Sequence, residues 1–153
     1  MSTLSNFIIP ERVVKGALIN SRKRVFEVLG HLLDTPEEIG SDLIYQKLLA
    51  RERLGSTAVG HGVALPHARV QGVSLTKMAI VLLNKPIEYD VPDNQEVDIF
   101  VGVIFPEDVK GIHLDFMAHV TELLRSESYR KKIREADSNE ALYQILTETE
   151  TER

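Results

Sequence analysis

"VDIFVGVIF", residues 97–105, carries one charge, Asp98, in nine residues. Valine, isoleucine and phenylalanine dominate it, and these residue types suit a pleated surface. Its apolar residues are consecutive rather than alternating, which predicts a strand covered on both faces. Such a strand belongs in the middle of a sheet, with helices above and below it. A second run, "KMAIVLL" at residues 77–83, has the same character. Between the two lies "YDVPDNQ", residues 89–95, rich in turn-forming types.

The segments on either side have helical spacing. Val25, Phe26, Val28, Leu29, Leu32 and Leu33 form one apolar stripe in a helix beginning near Ser21, which Asp34, Thr35 and Pro36 stop. A second helix begins near Ser41, with Leu43, Ile44, Leu48 and Leu49 facing inward, and ends at Gly55. Beyond the second strand, Ile112, Phe116, Val120, Leu123 and Leu124 make a stripe just after Gly111. Tyr129, Ile133 and Ala136 make a shorter one, and Leu142, Ile145 and Leu146 a last one. Asp137 with Glu140 reads as the N-terminal cap of that final helix. Residues 1–20 show no clear pattern. The expected architecture is α/β: a single domain over residues 1–153, with a mixed β-sheet flanked by helices on both sides.

Composition narrows the function. The chain has 153 residues, 43% hydrophobic and 27% charged, as expected of one globular domain. It has no cysteine, which excludes disulfides and thiolate metal sites. The net charge is −5, and the strongest basic cluster, "SRKRV" at residues 21–25, reads as a solvated helix start. A nucleic-acid partner is therefore not expected. No stretch approaches the roughly 18 apolar residues of a membrane helix. Neither does a basic flank precede an apolar run, as a secretory signal requires. The expectation is a cytoplasmic protein, peripheral to a membrane at most.

Chemistry concentrates in "GSTAVGHGVALPHARV", residues 55–70. Pro66 has a fixed φ and pushes Leu65 to an extended conformation, so His67 is presented rigidly at a strand end. A neutral imidazole is a competent nucleophile or base near pH 7. Gly60 and Gly62 flank His61, and glycine backbone can form an anion-binding nest, with hydroxyls from Ser56 and Thr57 beside it. The same pair of glycines also suits a simple turn. The stretch lacks a P-loop ending and a Gly-x-Ser-x-Gly elbow. His113 opens an apolar helix, as either a core residue or a site residue. His119 lies six positions on, about 240° around the helix, so the two do not share a ligand easily. His31, inside an apolar helix, reads as structural. Arg51 sits at a helix end, where it either complements the helix dipole or clamps an anion with its planar fork. No HExxH pattern or carboxylate–histidine cluster suggests metal hydrolysis by His61, His67 and His113.

Taken together, Arg51, Glu52, Gly55, Ser56, Thr57, Gly60, Gly62, Ala64, Pro66 and His67 resemble the phosphoacceptor segment of the IIA proteins of the bacterial phosphoenolpyruvate-dependent phosphotransferase system. The match is to the fructose/mannitol/nitrogen-regulatory class, and "EALYQIL" at residues 140–146 is similar to the nitrogen-regulatory branch. The resemblance implies that His67 accepts a phosphoryl group from an HPr-type histidine phosphocarrier. It implies His113 as the supporting second histidine, and Arg51, Ser56, Thr57, Gly60 and Gly62 as the phosphate-binding set. It implies no metal and no cofactor, and a phosphotransferase component rather than a turnover enzyme. With no IIB segment attached, a stand-alone regulator acting on a kinase or transporter is expected; a sugar-specific IIA that feeds a separate IIB subunit is the alternative. Three positions depart from the family pattern: Ala68 replaces a common glycine, His61 a common asparagine, and Asp115 a histidine found in some relatives.

Overall fold

The computed structural model describes residues 4–89, 96–108 and 112–148, with residues 112–114 described by their backbone alone. The turn read at "YDVPDNQ" falls, from Asp90 onward, outside the described residues. Two short 3₁₀ turns, Leu4–Asn6 and Pro10–Arg12, lead into β1 (Val13–Ala17), α1 (Arg22–Leu33) and α2 (Ser41–Leu54). Short strands β2 (Ala58–Gly60), β3 (Val63–Ala64) and β4 (His67–Val70) follow, then the long strands β5 (Lys77–Ile87) and β6 (Val97–Pro106). Helices α3 (Ile112–Leu124), α4 (Glu127–Glu135) and α5 (Asn139–Thr147) complete the chain.

β6 is the centre of the sheet, as its unbroken apolar text predicts. Ile99, Val101, Val103 and Phe105 join Phe116, Val120, Ile133 and Leu142 in one core. Phe100 and Ile104 join Phe26, Leu29, Leu33 and Leu48 in the other. The period-2 alternation of a strand sends neighbouring residues into opposite cores. α1 and α2 therefore cover one face and α3 to α5 the other. The sheet order is β1-β5-β6-β3-β2. β5 runs antiparallel to β6, with Ile80 opposite Val101. β3 and β4 both run parallel to β6 along its other side, at Ile99–Phe100 and Val103–Pro106 respectively. They are one line of chain interrupted at Leu65 and Pro66. No helix of the described residues is long and apolar enough to cross a membrane.

The helix boundaries follow side-chain chemistry. Ser21 caps α1, its hydroxyl accepting from the Arg24 amide at 3.2 Å. The carboxylate of buried Asp34 accepts from the amides of Glu38, Ile39 and Gly40, which ties the α1–α2 loop. Four local expectations are corrected. Ser138, not Asp137, caps α5, accepting from the Ala141 amide at 2.9 Å. Leu43 is 39% exposed; the buried stripe of α2 is Ile44, Leu48 and Glu52, each four residues from the last. His31 is exposed in the last turn of α1. β1, in the segment with no clear pattern, is an edge strand parallel to β5, where Val13 faces Ile80.

Gly30 sets how closely α1 approaches α2. A Cβ there would lie 2.8 Å from the Ser41 carbonyl oxygen, a backbone atom that cannot swing aside. We expect Gly30→Ala to cost about 1–3 kcal/mol by overpacking, despite alanine's better helix propensity. Urea denaturation would show it, and a stabilised variant would contradict it.

Candidate phosphoacceptor site

The site forms where the line of β3 and β4 breaks. Pro66 has no amide proton to give, but its carbonyl accepts from the Val103 amide at 3.0 Å, which keeps the chain against β6. His67 follows as the first residue of β4, half-buried, opposite Val103. Its Nδ1 lies 2.8 Å from the Leu65 carbonyl oxygen. A carbonyl can only accept, so Nδ1 carries the proton and Nε2 carries the lone pair of the neutral ring. The nucleophilic nitrogen is thereby specified by a backbone contact two residues away.

A cavity of about 510 Å³ opens beside His67. Arg51 of α2 lines it, with its Nη1 donating to the Gly55 carbonyl at 2.9 Å. Lys47 and Arg69 line it as well, while Ala50, Leu54, Phe105 and Met117 supply apolar wall. Its described lining includes three cations and no carboxylate, on a chain whose net charge is −5. An anion is the ligand that this charge distribution favours. Lys47 and Arg69 were not foreseen, although their spacing pointed to them. Lys47 is one helical turn before Arg51, and Arg69 is on the same strand face as His67, two residues on.

The loop joining α2 to β2 lies against this break. The Leu65 amide donates to the Thr57 carbonyl at 3.0 Å. Thr57 is buried, and its hydroxyl is committed to the Glu52 carboxylate at 2.6 Å, with its amide on the same carboxylate at 3.0 Å. Thr57 therefore contributes its backbone, not an outward hydroxyl. The Ser56 hydroxyl oxygen is exposed and accepts from the Ala58 amide at 3.2 Å.

Tyr89 packs edge-on to Phe100 with Arg22 over its ring at 5.3 Å. Its buried hydroxyl lies near Glu52 and Thr57, with no partner at strict hydrogen-bond geometry among the described residues. Burial, and after it the negative charge of Glu52, pushes the phenol well above its ordinary range. The folded protein thus keeps this proton to a higher pH than the unfolded chain, where tyrosine titrates near 10. The stabilisation is complete below about pH 10 and is lost as pH rises further. Melting temperatures followed from pH 8 to 12 should fall more steeply for the native chain than for Tyr89→Phe; parallel curves would count against this.

Gly60 and Gly62 are placed elsewhere. They form the β2–β3 turn with His61, and all three have positive φ: 91°, 80° and 58°. The Gly62 carbonyl accepts from the amides of Asp98 and Ile99, five and four residues before Val103 on β6. At about 3.3 Å per residue, that is roughly 13–16 Å from His67. The turn is held by Arg134, which donates to the His61 carbonyl at 2.7 Å and to both Asp98 oxygens at 2.8 and 3.0 Å. A Cβ on Gly62 would meet the Arg134 Nη2 at 2.5 Å and Asp98 Oδ1 at 2.9 Å. Gly62 serves close packing of that clamp, and neither glycine lines the His67 cavity. His113 is in the first turn of α3, and its side chain lies outside what is described. Among the described residues, no three of His, Cys, Asp and Glu gather as a metal-binding group.

The sequence profile of "Phosphoenolpyruvate-dependent sugar phosphotransferase system, EIIA 2" matches residues 6–149. The chain belongs to that family. Among EIIA 2 relatives, the nitrogen regulatory protein of Klebsiella oxytoca is 32% identical over 146 residues, 95% of this chain and 90% of its own length. The crystal structure of the nitrogen regulatory protein IIA-Ntr from Neisseria meningitidis superposes with a TM-score of 0.89 at 30% identity, covering 94% of this chain and 99% of that one. IIA mannitol from Escherichia coli has a TM-score of 0.75 at 17% identity, over 90% of this chain and 96% of that one, a likeness of fold. A phosphotransfer role in nitrogen regulation is what the family and these EIIA 2 relatives support, and the mannitol or fructose alternative is the weaker match.

Proposed function

We propose that this EIIA 2 protein accepts a phosphoryl group on His67 Nε2 from an HPr-type histidine phosphocarrier and holds it in a regulatory relay. The observation that carries this reading is the Nδ1–H bond of His67 to the Leu65 carbonyl beside a cavity with Lys47, Arg51 and Arg69. The Nε2 lone pair forms a P–N bond as the donor's P–N bond breaks, and that electron pair returns to the donor imidazole. The Nδ1 proton stays on the ring, still bonded to Leu65. Such a transfer asks the protein for positioning and for charge neutralisation around the phosphoryl oxygens. Arg51 supplies the planar fork, and Lys47 and Arg69 supply further charge; the exposed Ser56 hydroxyl, in the loop after α2, is proposed as a further donor. His113, in the first turn of α3, is the proposed supporting histidine. The scheme needs no cofactor. The apolar wall and exposed Leu54 offer the phosphocarrier a dry contact.

The test is reconstitution with phosphoenolpyruvate, the first enzyme of the relay and an HPr-type phosphocarrier. One acid-labile phosphoryl group per chain, mapped by mass spectrometry to His67, is expected. No label, or label on another residue, would sink the reading. Onward transfer to a sugar-specific IIB subunit would favour the sugar-uptake alternative; complexes with a kinase or transporter that depend on phosphorylation would favour regulation.

A further inference from the structure

Glu52 is the polar member of an otherwise apolar stripe. It follows Ile44 and Leu48 on the inward face of α2 and is 6% exposed. Leucine at that position would extend the core, and a buried carboxylate with no cation bonded to it is costly unless its lone pairs are satisfied. Both oxygens are used on one residue: Oε2 takes the Thr57 amide at 3.0 Å and Oε1 the Thr57 hydroxyl at 2.6 Å. The contacts then continue in one direction. The Thr57 carbonyl takes the Leu65 amide at 3.0 Å, and the Leu65 carbonyl takes His67 Nδ1–H at 2.8 Å. Four residues from α2, the loop, the β3–β4 break and β4 are joined by contacts of 3.0 Å or less. We propose that Glu52 is a positioning residue, whose buried carboxylate holds Thr57, through Thr57 the Leu65 backbone, and through Leu65 the tautomer and orientation of His67. This rests on the phosphoacceptor reading of His67.

The physical reason is leverage. Leu65 and Pro66 lie in the interruption between β3 and β4, where the Pro66 carbonyl takes the Val103 amide and the described bond of the Leu65 carbonyl is to His67 Nδ1–H. The direction of the Leu65 carbonyl follows from the backbone on both sides of it: the Leu65 amide held by the Thr57 carbonyl, and Pro66, whose carbonyl takes the Val103 amide. The Leu65 amide depends on a loop whose anchor is a charge-assisted pair of hydrogen bonds, roughly twice as strong as neutral ones. Without the anchor, the loop and the Leu65 carbonyl lose their reference to α2, and the imidazole can take its other tautomer or turn.

Two readouts test this, and only one needs phosphotransfer. Long-range ¹H–¹⁵N correlations of the imidazole at about pH 8.5, where histidine is ordinarily neutral, should show one tautomer, Nδ1–H, for His67 in the native chain. Glu52→Ala should populate both. Its first-order transfer rate should fall roughly ten-fold, while the phosphocarrier concentration for half-maximal rate stays unchanged. Glu52→Gln should return the rate to within about three-fold of native, because its amide oxygen accepts the Thr57 N–H and its NH₂ donates to the Thr57 hydroxyl. If Glu52→Ala does not fold by circular dichroism, Thr57→Val replaces it: it removes the 2.6 Å bond alone, with a rate loss of roughly three-fold and the same tautomer change expected. A single unchanged tautomer with native transfer rate in these variants overturns the proposal. So does a rate loss with the tautomer intact and no recovery in Glu52→Gln, which would give Glu52 a merely structural role. If the native chain takes no label at all, the phosphoacceptor reading has failed, and the tautomer comparison alone then decides whether Glu52 holds His67.

Discussion

Replacing His67 with alanine should abolish phosphoryl transfer to this protein. Removing a nucleophile leaves only the contributions of binding and charge, so a loss of more than about four orders of magnitude is expected. The fold should survive. His67 is half-buried at the first position of β4, and the hydrogen bond to the Leu65 carbonyl that alanine removes is worth about 1 kcal/mol. His67→Gln should be equally inactive, because an amide nitrogen has no nucleophilic lone pair while its NH₂ can still reach that carbonyl. Phosphate-affinity gels of each variant after incubation with the relay would read the outcome. Labelling of His67→Ala at the native rate would mean that another side chain is the acceptor and that the cavity has been misread.

The second large effect belongs to Arg51. Its guanidinium lines the His67 cavity and is steadied by the Gly55 carbonyl at 2.9 Å. A preorganised cation aimed at developing charge is worth about a hundred-fold in rate or more when removed. Arg51→Ala should therefore slow transfer about a hundred-fold, and should also weaken retention of the phosphoryl group. Arg51→Lys should recover part of the loss, because lysine restores the charge without the two-pronged donor geometry. Rapid-quench measurement of the single-turnover rate separates this from a docking defect, which would show instead as a weaker response to phosphocarrier concentration. An unchanged rate in Arg51→Ala would assign the electrostatic work to Lys47 and Arg69.

The layers of the fold were legible because β5 and β6 are apolar at consecutive positions, a pattern that few other settings tolerate. The helical stripes were legible for the same kind of reason. Ser21 and the stop at Asp34 were read from local chemistry, and local chemistry built them. The misses have physical causes. Leu43 and Leu48 have the same composition signal, but the rotation of α2 against the sheet exposes one and buries the other. β1 is a short edge strand whose partner is more than sixty residues away, so its own text carries little. The Arg134–Asp98 clamp joins segments 36 residues apart, and nothing near His61 announces it.

That clamp alters the meaning of the glycine motif. "GHG" reads as a phosphate cradle by composition, yet Gly62 is where it is because a Cβ would strike Arg134 and Asp98. Glu52 makes the complementary lesson: part of a motif by spacing, it acquires a task only when the loop folds back to place Thr57 on its carboxylate.

By itself, the sequence determined the α/β class, the both-sided burial of the central strand, the start of α1 near Ser21 with its stop at Asp34, and the place of His67 directly after a proline at a strand end. These depend on periodicities and dihedral limits that operate within a few residues. Tertiary structure alone decided which nitrogen of His67 carries the proton, that Lys47 and Arg69 join Arg51 at the cavity, and that Gly60 and Gly62 do not. Those outcomes depend on strand register and on the docking of α2 against the β3–β4 break, where segments distant along the chain are brought within hydrogen-bonding range.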